Sequence, residues 1–362
     1  MSATPLQRLI APLVSPPVFD FWAGMINPVW AWERTLARVV GHQRESSDAV
    51  TLVLRPNGHF AGFMPGQHVN VSAEVNGRRV TRSYSFTGLP GEDGCISITV
   101  RQIKGGVLST HLCTDVKVGD VLEIGAAFGE MVLHAANPLV RDRKFLFLAA
   151  GSGITPLISM TRALAAAGMP ADLTLVYWAR TREELCFVDE LNELAARTPC
   201  FRVHFILTRD PGLQPGASSG RISGELLQAL VPDLGERHVS ACGPSGFVHA
   251  AIDLAGTTAR SFQAEAFTAP AFATDATGTV RVHLAASGRT LDVPVGESLL
   301  VALEAQGINP AHGCRIGICN TCACGKSAGT TQDMNTGEYS AESTAALRIC
   351  ISRASTDITL DL

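Results

Sequence analysis

The chain has 362 residues, which is too long for one ordinary hydrophobic core and indicates two or three domains. Hydrophobic residues make up 46% and charged residues 17%, a globular composition that argues against extensive disorder. The formal net charge is −4 and the basic residues are scattered without a run, which excludes nucleic acid as a main partner. The sequence shows no apolar stretch of the roughly 20 residues that a transmembrane helix needs, and no signal peptide is expected.

Residues 1–32 match no enzymatic motif and are interpreted as an N-terminal extension. They contain Trp22, Trp30 and Trp32, three of the four tryptophans. Together with Phe19 and Phe21, these aromatic side chains could rest on a membrane surface. Because Asp20 interrupts the apolar run and positive charge is sparse, packing against the next domain is the favoured alternative.

Short β-rich runs separated by turn residues dominate residues 33–137. The runs are Ala49–Leu54, His68–Val75, Thr81–Phe86, Ile96–Gln102 and Val121–Ile124. Asn76-Gly77 stands between two of them and predicts a two-residue β-hairpin. This pattern predicts an antiparallel β-barrel.

Two motifs in the predicted barrel have the chemistry of a flavin site. In Arg82-Ser83-Tyr84-Ser85 the arginine can pair with a phosphate, the tyrosine can lie along an isoalloxazine ring, and Ser85 can hydrogen-bond the reactive edge of that ring. In Gly105-Gly106-Val107-Leu108-Ser109-Thr110 the glycines allow close backbone approach, and Ser109 is expected to cap a helix whose N-terminus receives a pyrophosphate. Each motif alone also fits an ordinary strand or helix cap, so the hypothesis depends on their order and spacing.

After residue 138 apolar strands alternate with helical segments, which predicts a doubly wound α/β domain over residues 138–268. The predicted elements are Lys144–Ala150, Pro156–Ala167, Asp172–Trp178, Glu183–Ala196, Phe201–Thr208 and His238–Cys242. Ligands bind such sheets at the carboxyl ends of the strands.

Two motifs at those strand ends predict a nicotinamide site. Gly151-Ser152-Gly153-Ile154-Thr155-Pro156 follows a strand and opens a helix, where backbone amides and the helix dipole favour a pyrophosphate. Thr155 is a candidate cap for that helix, with Pro156 at its first position. Cys242-Gly243-Pro244 ends a later strand, and Cys242 is expected to meet the nicotinamide ring. A buried cysteine before a turn is the structural alternative.

Arg180 and Arg182 follow the second strand of this domain, where the adenosine ribose is expected. The acidic residue typical of NAD binders is absent from this position, which favours NADPH over NADH. The alternative is that both arginines are solvated surface charges beside Glu183 and Glu184.

A linker is predicted at residues 269–279, which have no amphipathic period and a single charge. Residues 280–362 then form a third domain. Its predicted elements, Val280–Leu284, Thr290–Val293, the helix Ser298–Gln306, Leu347–Ile351 and Asp357–Leu362, suggest a β-grasp ferredoxin fold.

Four cysteines of the third domain have the spacing of a plant-type [2Fe-2S] site. Cys314, Cys319 and Cys322 form C-x4-C-x2-C, and Cys350 follows downstream. A zinc site also takes four cysteines, but usually as two separate pairs. A fifth cysteine, Cys324, is expected to pack rather than to bind iron. Clustered thiols of this kind indicate a reducing, cytoplasmic compartment.

Taken in order, these motifs over residues 38–362 resemble the ferredoxin-NADP reductase superfamily, in particular members with a C-terminal plant-type ferredoxin domain. The resemblance implies FAD at Arg82, Tyr84, Ser85, Gly106 and Ser109, and nicotinamide binding at 151–156 and 242–244. It also places Phe267, in Glu265-Ala266-Phe267, where residues approach the flavin. The residues flanking Ser109 and the added Cys324 depart from or vary within the family pattern.

The stretches Ile26-Asn27-Pro28-Val29-Trp30 and Gly66-Gln67-His68-Val69 are similar to those of reductases that serve bacterial membrane fatty-acid desaturases. Reductases of phenylacetyl-CoA epoxidase and of hydroxylases have the same three domains. The resemblance therefore implies electron transfer from NADPH, or alternatively NADH, through FAD and a [2Fe-2S] cluster to a desaturase or monooxygenase. The expected location is cytoplasmic, with peripheral contact at the inner face of the membrane as an option.

Two other functions stay open at this point. One is a stand-alone NAD(P)H oxidase or flavin reductase, which would leave the ferredoxin domain without a purpose. The other is a non-enzymatic iron-sulfur redox sensor, which would need an effector domain that the sequence does not reveal.

Overall fold

The computed structural model describes residues 15–91, 93–133, 140, 143–209, 218–268 and 277–362. Most of the predicted linker and the predicted boundary at 137–138 lie outside these residues. The chain divides into two compact units. The larger contains residues up to 242 together with 251–264, and the smaller contains residues 243–250 and 265–362.

The first sheet of the larger unit is an antiparallel barrel. Its strands are β1 (Leu36–Arg44), β2 (Ala49–Pro56), β3 (His68–Val75), β4 (Arg78–Ser85), β5 (Ile96–Arg101) and β6 (Val121–Phe128), in the order β4-β3-β6-β1-β2-β5. A bridge between Phe86 and Ile98 joins the two edges. Alternate strand residues are buried and form one apolar core, which confirms the predicted barrel.

The predicted hairpin is present between β3 and β4. Val75 pairs with Arg78, and Asn76 and Gly77 have φ values of 52° and 71°. Positive φ at both loop residues is the geometry of a type I′ turn, which asparagine and glycine adopt readily.

A helix that the sequence analysis did not predict, α1 (Pro16–Ile26), precedes the barrel. The segment after it is held to the barrel by polar contacts: Asn57 Nδ2 donates to Val29 O at 3.0 Å, and His59 Nε2 lies 3.0 Å from Ala31 O. Trp32 is buried, with Phe19 of α1 edge-on against it at 5.2 Å. Part of the N-terminal extension therefore packs against the barrel.

The second sheet of the larger unit has the order β10-β9-β8-β7-β11-β12. Its strands are β7 (Lys144–Ala150), β8 (Asp172–Ala179), β9 (Phe201–Leu207), β10 (Ser218–Ser219), β11 (Arg237–Gly243) and β12 (Ser261–Ala266). Helix α2 (Val107–Thr114) belongs to the barrel, between β5 and β6. The helices that follow or connect the strands of the second sheet are α3 (Ile154–Ala166), α4 (Val188–Arg197), α5 (Gly224–Leu230) and α6 (Ser245–Ala255). Pairs β7–β8, β8–β9 and β7–β11 are parallel, as predicted.

The helix predicted over Glu183–Ala196 is interrupted. Residues Arg182–Glu184 form one 3-10 turn, and α4 starts only at Val188. Phe187 between them is buried and has φ of 61°, a left-handed conformation that an α-helix excludes. Burial of this ring overrides the helical pattern of its neighbours.

The smaller unit contains the C-terminal sheets. One five-stranded sheet has the order β14-β13-β20-β15-β18 and a small one has the order β17-β16-β19. The strands are β13 (Thr279–Leu284), β14 (Arg289–Pro294), β15 (Ala323–Ala328), β16 (Thr331–Asp333), β17 (Tyr339–Ser340), β18 (Thr344–Arg348), β19 (Ser352–Ala354) and β20 (Ile358–Leu360), with helix α7 (Leu299–Ala305). The predicted strand Leu347–Ile351 is shifted, because β18 ends at Arg348 and Cys350 lies in a turn.

No helix in the described part of the chain is both long enough and apolar enough to cross a bilayer.

Candidate functional site

The predicted flavin motif lies at the end of β4, paired with β3. Ser85 pairs with His68 and Ser83 with Asn70. The Ser83 hydroxyl donates to Asn70 Oδ1, and Arg82 Nη1 donates to Thr81 O at 2.7 Å. These contacts fix the strand end from which Arg82, Tyr84 and Ser85 project.

Tyr84 is a neutral phenol. Burial raises its pKa well above the ordinary value of 10.0, although the nearby Arg82 charge lowers it in part. Its ring packs partly against the barrel core. A neutral ring at this position is suited to cover a flat aromatic cofactor.

The second flavin motif forms the start of α2, but Ser109 is not its cap. Gly106 is the N-cap residue, and the buried Ser109 lies in the first turn, where its hydroxyl accepts from Ile103 N at 3.2 Å. The prediction of a serine cap is therefore wrong. A Cβ on Gly106 would clash with Ser109 Oγ and lie 3.0 Å from Ile103 O, so the close turn needs glycine here. The amides of Val107 and its neighbours start α2 as predicted for a pyrophosphate site.

The nucleotide motif follows β7 as predicted, but its capping differs. Gly151–Gly153 form a 3-10 turn and α3 begins at Ile154, with Gly153 as N-cap and Pro156 as the third helical residue. Thr155 therefore does not cap the helix, since its hydroxyl donates to Ser152 O at 2.9 Å. Its Oγ1 also lies 3.0 Å from Ser85 Oγ, which joins the nucleotide motif to the flavin motif.

One face of α3 contacts the barrel residues that follow the flavin motif. Ser159 Oγ donates to Gly88 O at 2.7 Å, and Arg162 Nη1 donates to Thr87 O at 2.6 Å. With Thr155, these side chains stand at positions i, i+4 and i+7 of the helix and so share one face. The structure thus brings the predicted flavin and nucleotide motifs together through the α3 face formed by Thr155, Ser159 and Arg162.

Arg180 follows β8, at the carboxyl edge of the sheet, and its side chain is 54% exposed. Its Nε lies 3.0 Å from the Glu184 carboxylate. Arg209 follows the neighbouring strand β9, and its backbone N–H donates to Arg180 O at 2.8 Å. The sequence analysis did not single out Arg209, although an arginine directly after the next apolar strand was the available signal. Arg182 is exposed in the adjoining 3-10 turn.

Cys242 lies in β11 next to Ala149 of β7 and has no exposed surface. To meet a nicotinamide ring as predicted, its thiol would first have to be uncovered. In the smaller unit, Phe267 N donates to Gly243 O at 2.9 Å, so Phe267 adjoins the Gly243-Pro244 turn.

The four predicted cluster ligands meet in the smaller unit. Cys314, Cys322 and Cys350 are buried and Cys319 is partly exposed. Hydrogen bonds connect their sulfurs in the order Cys319, Cys314, Cys350, Cys322. Four thiols from one loop and one later turn are a donor set that suits two bridged irons.

Backbone amides converge on the first of these sulfurs. Ile316 N and Cys319 N each lie 3.4 Å from Cys314 Sγ. Hydrogen bonds with the Cys319 and Cys350 thiols, followed by these amides, lower the pKa of Cys314 far below that of an ordinary thiol. Cys314 therefore favours the thiolate, the form that binds iron, while hydrogen bonding to Cys314 raises the pKa of the partner thiols Cys319 and Cys350.

The fifth cysteine, Cys324, has a different environment from the four predicted ligands. Burial raises the pKa of Cys324 to about 11, and its side chain is part of the apolar core of the smaller unit. These observations support its predicted packing role. Gly317, in the loop with φ of 84°, lies against Ile351, so a side chain here would clash.

Three family descriptions match consecutive parts of the chain. Residues 36–132 match an oxidoreductase FAD-binding domain, residues 147–253 an oxidoreductase NAD-binding domain, and residues 282–355 a 2Fe-2S iron-sulfur cluster binding domain. The last match supports a [2Fe-2S] centre over the zinc alternative.

Full-length similarities agree with these matches. An NADPH oxidoreductase of Mycobacterium tuberculosis is 34% identical over 369 residues, covering 99% of this chain and 92% of the relative. One subunit of the 1,2-phenylacetyl-CoA epoxidase of Escherichia coli is 28% identical over 310 residues, covering 80% of this chain and 85% of the relative. The solved structure of phthalate dioxygenase reductase shares 25% identity with a TM-score of 0.59, covering 90% of this chain and 97% of that one.

A flavin barrel, a parallel nucleotide-binding sheet and a C-terminal iron-sulfur domain in one chain define an iron-sulfur flavoprotein oxidoreductase. The chain belongs to the ferredoxin-NADP reductase-like family whose members carry a C-terminal [2Fe-2S] domain. Its cofactors are FAD, NAD(P)H and a [2Fe-2S] cluster, as the resemblance implied.

Proposed function

We propose that this chain oxidises NADPH and passes the electrons singly, through FAD and its cluster, to a separate oxygenase or desaturase. The observation that carries the proposal is the chain of hydrogen-bonded cysteines Cys319, Cys314, Cys350 and Cys322, in the same polypeptide as the flavin and nucleotide motifs. When bound, FAD would supply the conversion of a two-electron hydride into single electrons, and the cluster would supply the one-electron outlet.

In this proposal residues 33–137 form the flavin domain, 138–268 the nucleotide domain and 280–362 the cluster domain. Arg82 binds flavin phosphate, while Tyr84 covers the ring as a neutral phenol. Ser85 presents its hydroxyl to the reactive ring edge, and the contact with Thr155 orients that hydroxyl. The chemistry needs no general base, because the transferred species is a hydride.

The preference for NADPH rests on positive charge at the carboxyl edge of the parallel sheet. Arg180 and Arg209 follow neighbouring strands and are joined through their backbones. Two arginines there favour the 2′-phosphate of NADPH, which NADH lacks. Arg182, exposed nearby, adds a third positive charge.

The proposed acceptor follows from the names of the similar proteins. An epoxidase subunit and a dioxygenase reductase are among them, and both names describe components of oxygenase systems. A desaturase is retained as an acceptor because it receives the same single electrons.

Two acceptors separate this function from its alternatives. With NADPH as donor, ferricyanide accepts electrons directly from flavin, whereas cytochrome c requires the cluster. We expect Cys319→Ser to abolish cytochrome c reduction and to leave ferricyanide reduction nearly unchanged. Undiminished cytochrome c reduction would instead favour a flavin reductase that does not use its ferredoxin domain.

We further propose that α1 contacts a lipid surface. Phe21, Trp22, Met25 and Ile26 are 62–77% exposed. The only acidic residue of α1 is turned away from this face, since the Asp20 carboxylate accepts from Trp32 N at 2.6 Å. Arg34 lines the same surface as Phe21 but is paired with Glu123 at 2.7 Å, and Glu33 is there as well, so apolar insertion must dominate.

Cosedimentation with anionic phospholipid vesicles tests this contact on the full chain. A variant in which Phe21, Trp22, Met25 and Ile26 are all replaced by serine should no longer bind the vesicles. The matched control is Val118→Ser, which removes an exposed apolar side chain of the barrel, 63% exposed, and should bind as the unmodified chain does. Equal binding by both variants, or no binding by the unmodified chain, would contradict the proposal.

A further inference from the structure

Glu184 lies between two arginines, one at the end of a barrel strand and one just after a strand of the parallel sheet. Arg101 is the last residue of β5 in the barrel, and its Nη2 donates to Glu184 O at 2.9 Å and approaches Glu184 Oε2 at 3.3 Å. Arg180 follows β8, and its Nε lies 3.0 Å from the same carboxylate. One carboxylate therefore contacts both guanidinium groups.

The charges around this carboxylate are balanced. Arg101 also pairs with Asp48 at 2.8 Å. Asp48, Arg101, Glu184 and Arg180 thus contribute two negative and two positive charges. Glu184 and Arg101 are only 16% and 17% exposed, while Arg180 is 54% exposed. Of the two arginines, Arg180 is the one that faces solvent.

The contact through Nε determines what Arg180 can still bind. A guanidinium has five N–H donors in a planar fork, and a phosphate is bound best by a pair of them. Since Glu184 holds the Nε edge, the pair of terminal nitrogens remains, and neither has a hydrogen-bond partner among the residues that the structure describes. Fixing the side chain beforehand also reduces the entropy lost when a ligand binds.

We propose that Glu184 is a positioning residue for coenzyme specificity: it holds Arg180 with its terminal nitrogens directed to the adenosine 2′-phosphate of NADPH. This inference rests on the proposed NADPH preference and adds the residue that enforces it. Because Arg101 is shared with Asp48, the charge of Glu184 is balanced only when Arg180 is included, so repulsion of the phosphate is the competing effect that Glu184→Ala tests.

Substitutions at Glu184 separate positioning from charge. Glu184→Ala removes the acceptor for Arg180 Nε, and we expect about a tenfold rise in the Kd of NADP+ and the KM of NADPH, the size of one lost charge-assisted hydrogen bond. The kcat with NADPH and the constants for NADH should stay within about twofold, since neither depends on the 2′-phosphate. Glu184→Gln keeps an acceptor oxygen and should restore affinity to within about threefold of the unmodified chain.

Glu183→Ala is the matched control, because Glu183 is the exposed neighbour and only its backbone oxygen contacts the barrel, accepting from Ser47 N. It should leave NADP+ affinity unchanged. Binding of NADP+ and NAD+ is measured by calorimetry on the full chain with FAD and cluster, and turnover by ferricyanide reduction.

The outcomes distinguish this inference from the proposed function. Tighter NADP+ binding by Glu184→Ala would show repulsion and overturn the positioning role, as would equal losses for NADPH and NADH. If Arg180→Ala weakens NADP+ binding and Glu184→Ala does not, the inference alone fails. If Arg180→Ala has no effect on NADP+ binding, the assignment of Arg180 to the 2′-phosphate fails as well.

Discussion

The five cysteines of the smaller unit differ in what their sulfurs contact. The sulfurs of Cys314, Cys319, Cys322 and Cys350 are hydrogen-bonded to one another, whereas burial keeps Cys324 a neutral thiol in the core. We expect Cys350→Ser to remove most of the cluster's visible absorbance and its iron. Cys324→Ser should retain two irons per chain, because a core hydroxyl costs stability but not a ligand.

Iron analysis and the visible spectrum of the two purified variants check this prediction. FAD content serves as the internal control, since neither cysteine lies near the flavin motif in sequence. Loss of iron from Cys324→Ser with retention by Cys350→Ser would mean that the fifth cysteine is the true fourth ligand.

For single residues, the spacing of the motifs predicted which residues form each site but not which hydrogen bonds they make. The cysteine spacing and the glycines of the two phosphate motifs are visible in the sequence because the chemistry leaves few alternatives. The caps were predicted wrongly at Ser109 and Thr155, since each hydroxyl finds a nearer backbone partner, Ile103 N and Ser152 O. Which partner a hydroxyl takes depends on the folded path of the chain, which the motif alone does not contain.

Helix α3 is the element that joins the two predicted motifs. The double variant Ser159→Ala, Arg162→Ala removes its hydrogen bonds to Gly88 O and Thr87 O. We expect flavin reduction by NADPH to slow by about tenfold or more, because small misplacements of reacting groups are costly. Stopped-flow absorbance under anaerobic conditions measures this rate.

Arg202→Ala is the control for that experiment, because it removes an arginine of the same sheet whose partner is Asp172 and not the barrel. FAD content should be unchanged in both variants. A normal rate in the double variant would show that the α3 face formed by Thr155, Ser159 and Arg162 does not set the distance between hydride donor and flavin.

A charge network connects the starts of three parallel strands. Asp233 accepts from Arg237, the first residue of β11, and from Lys144, the first residue of β7, while Arg237 also donates to Asp172 of β8. Hydrogen bonds from Arg237 and then Lys144 lower the pKa of Asp233 from 3.8 to about 2. Its folded form therefore favours the carboxylate.

This shift predicts an acid-dependent stability. A depressed folded pKa contributes stability above pH 4 that is lost as the pH falls from about 4 to about 2. Asp233→Asn should lower the free energy of unfolding at pH 7 by about 2 kcal/mol, with the deficit shrinking below pH 4. Urea unfolding at several pH values measures the free energy of unfolding of both proteins. The control is Glu236→Gln, because Glu236 also pairs with Lys144 but its side chain is 66% exposed. A deficit that is constant with pH would contradict the assignment.

The elements were predictable where burial follows a simple period. Strands β3 and β7 have the predicted bounds, because their apolar patterns are bracketed by turn residues. The helix predicted over 183–196 was not correct, because the buried Phe187 interrupts it. Helix α1 was not predicted, because its apolar residues are exposed and do not point toward a core. Tertiary contacts decide both cases, and no local pattern records them.

At the scale of the whole molecule, one chain contains the three domains that bind the electron carriers. The nucleotide domain lies between the flavin and cluster domains in sequence, and its α3 contacts the barrel. Carrier chemistry then predicts the path: electrons enter as a hydride from NAD(P)H, cross to FAD and leave singly through the cluster. Domain content could be predicted from the sequence, since each domain carries its own motif, whereas the α3 contact and the shared Glu184 depend on how two sheets fold together.

The central claim is that flavin and cluster form one electron path within this chain. Anaerobic titration of the full protein with NADPH, and separately with NADH, followed through the visible spectrum, tests it most directly. We predict flavin bleaching together with loss of cluster absorbance, at lower concentrations of NADPH than of NADH. Flavin bleaching with a cluster that stays oxidised would contradict the account, because the electrons would then stop at the flavin.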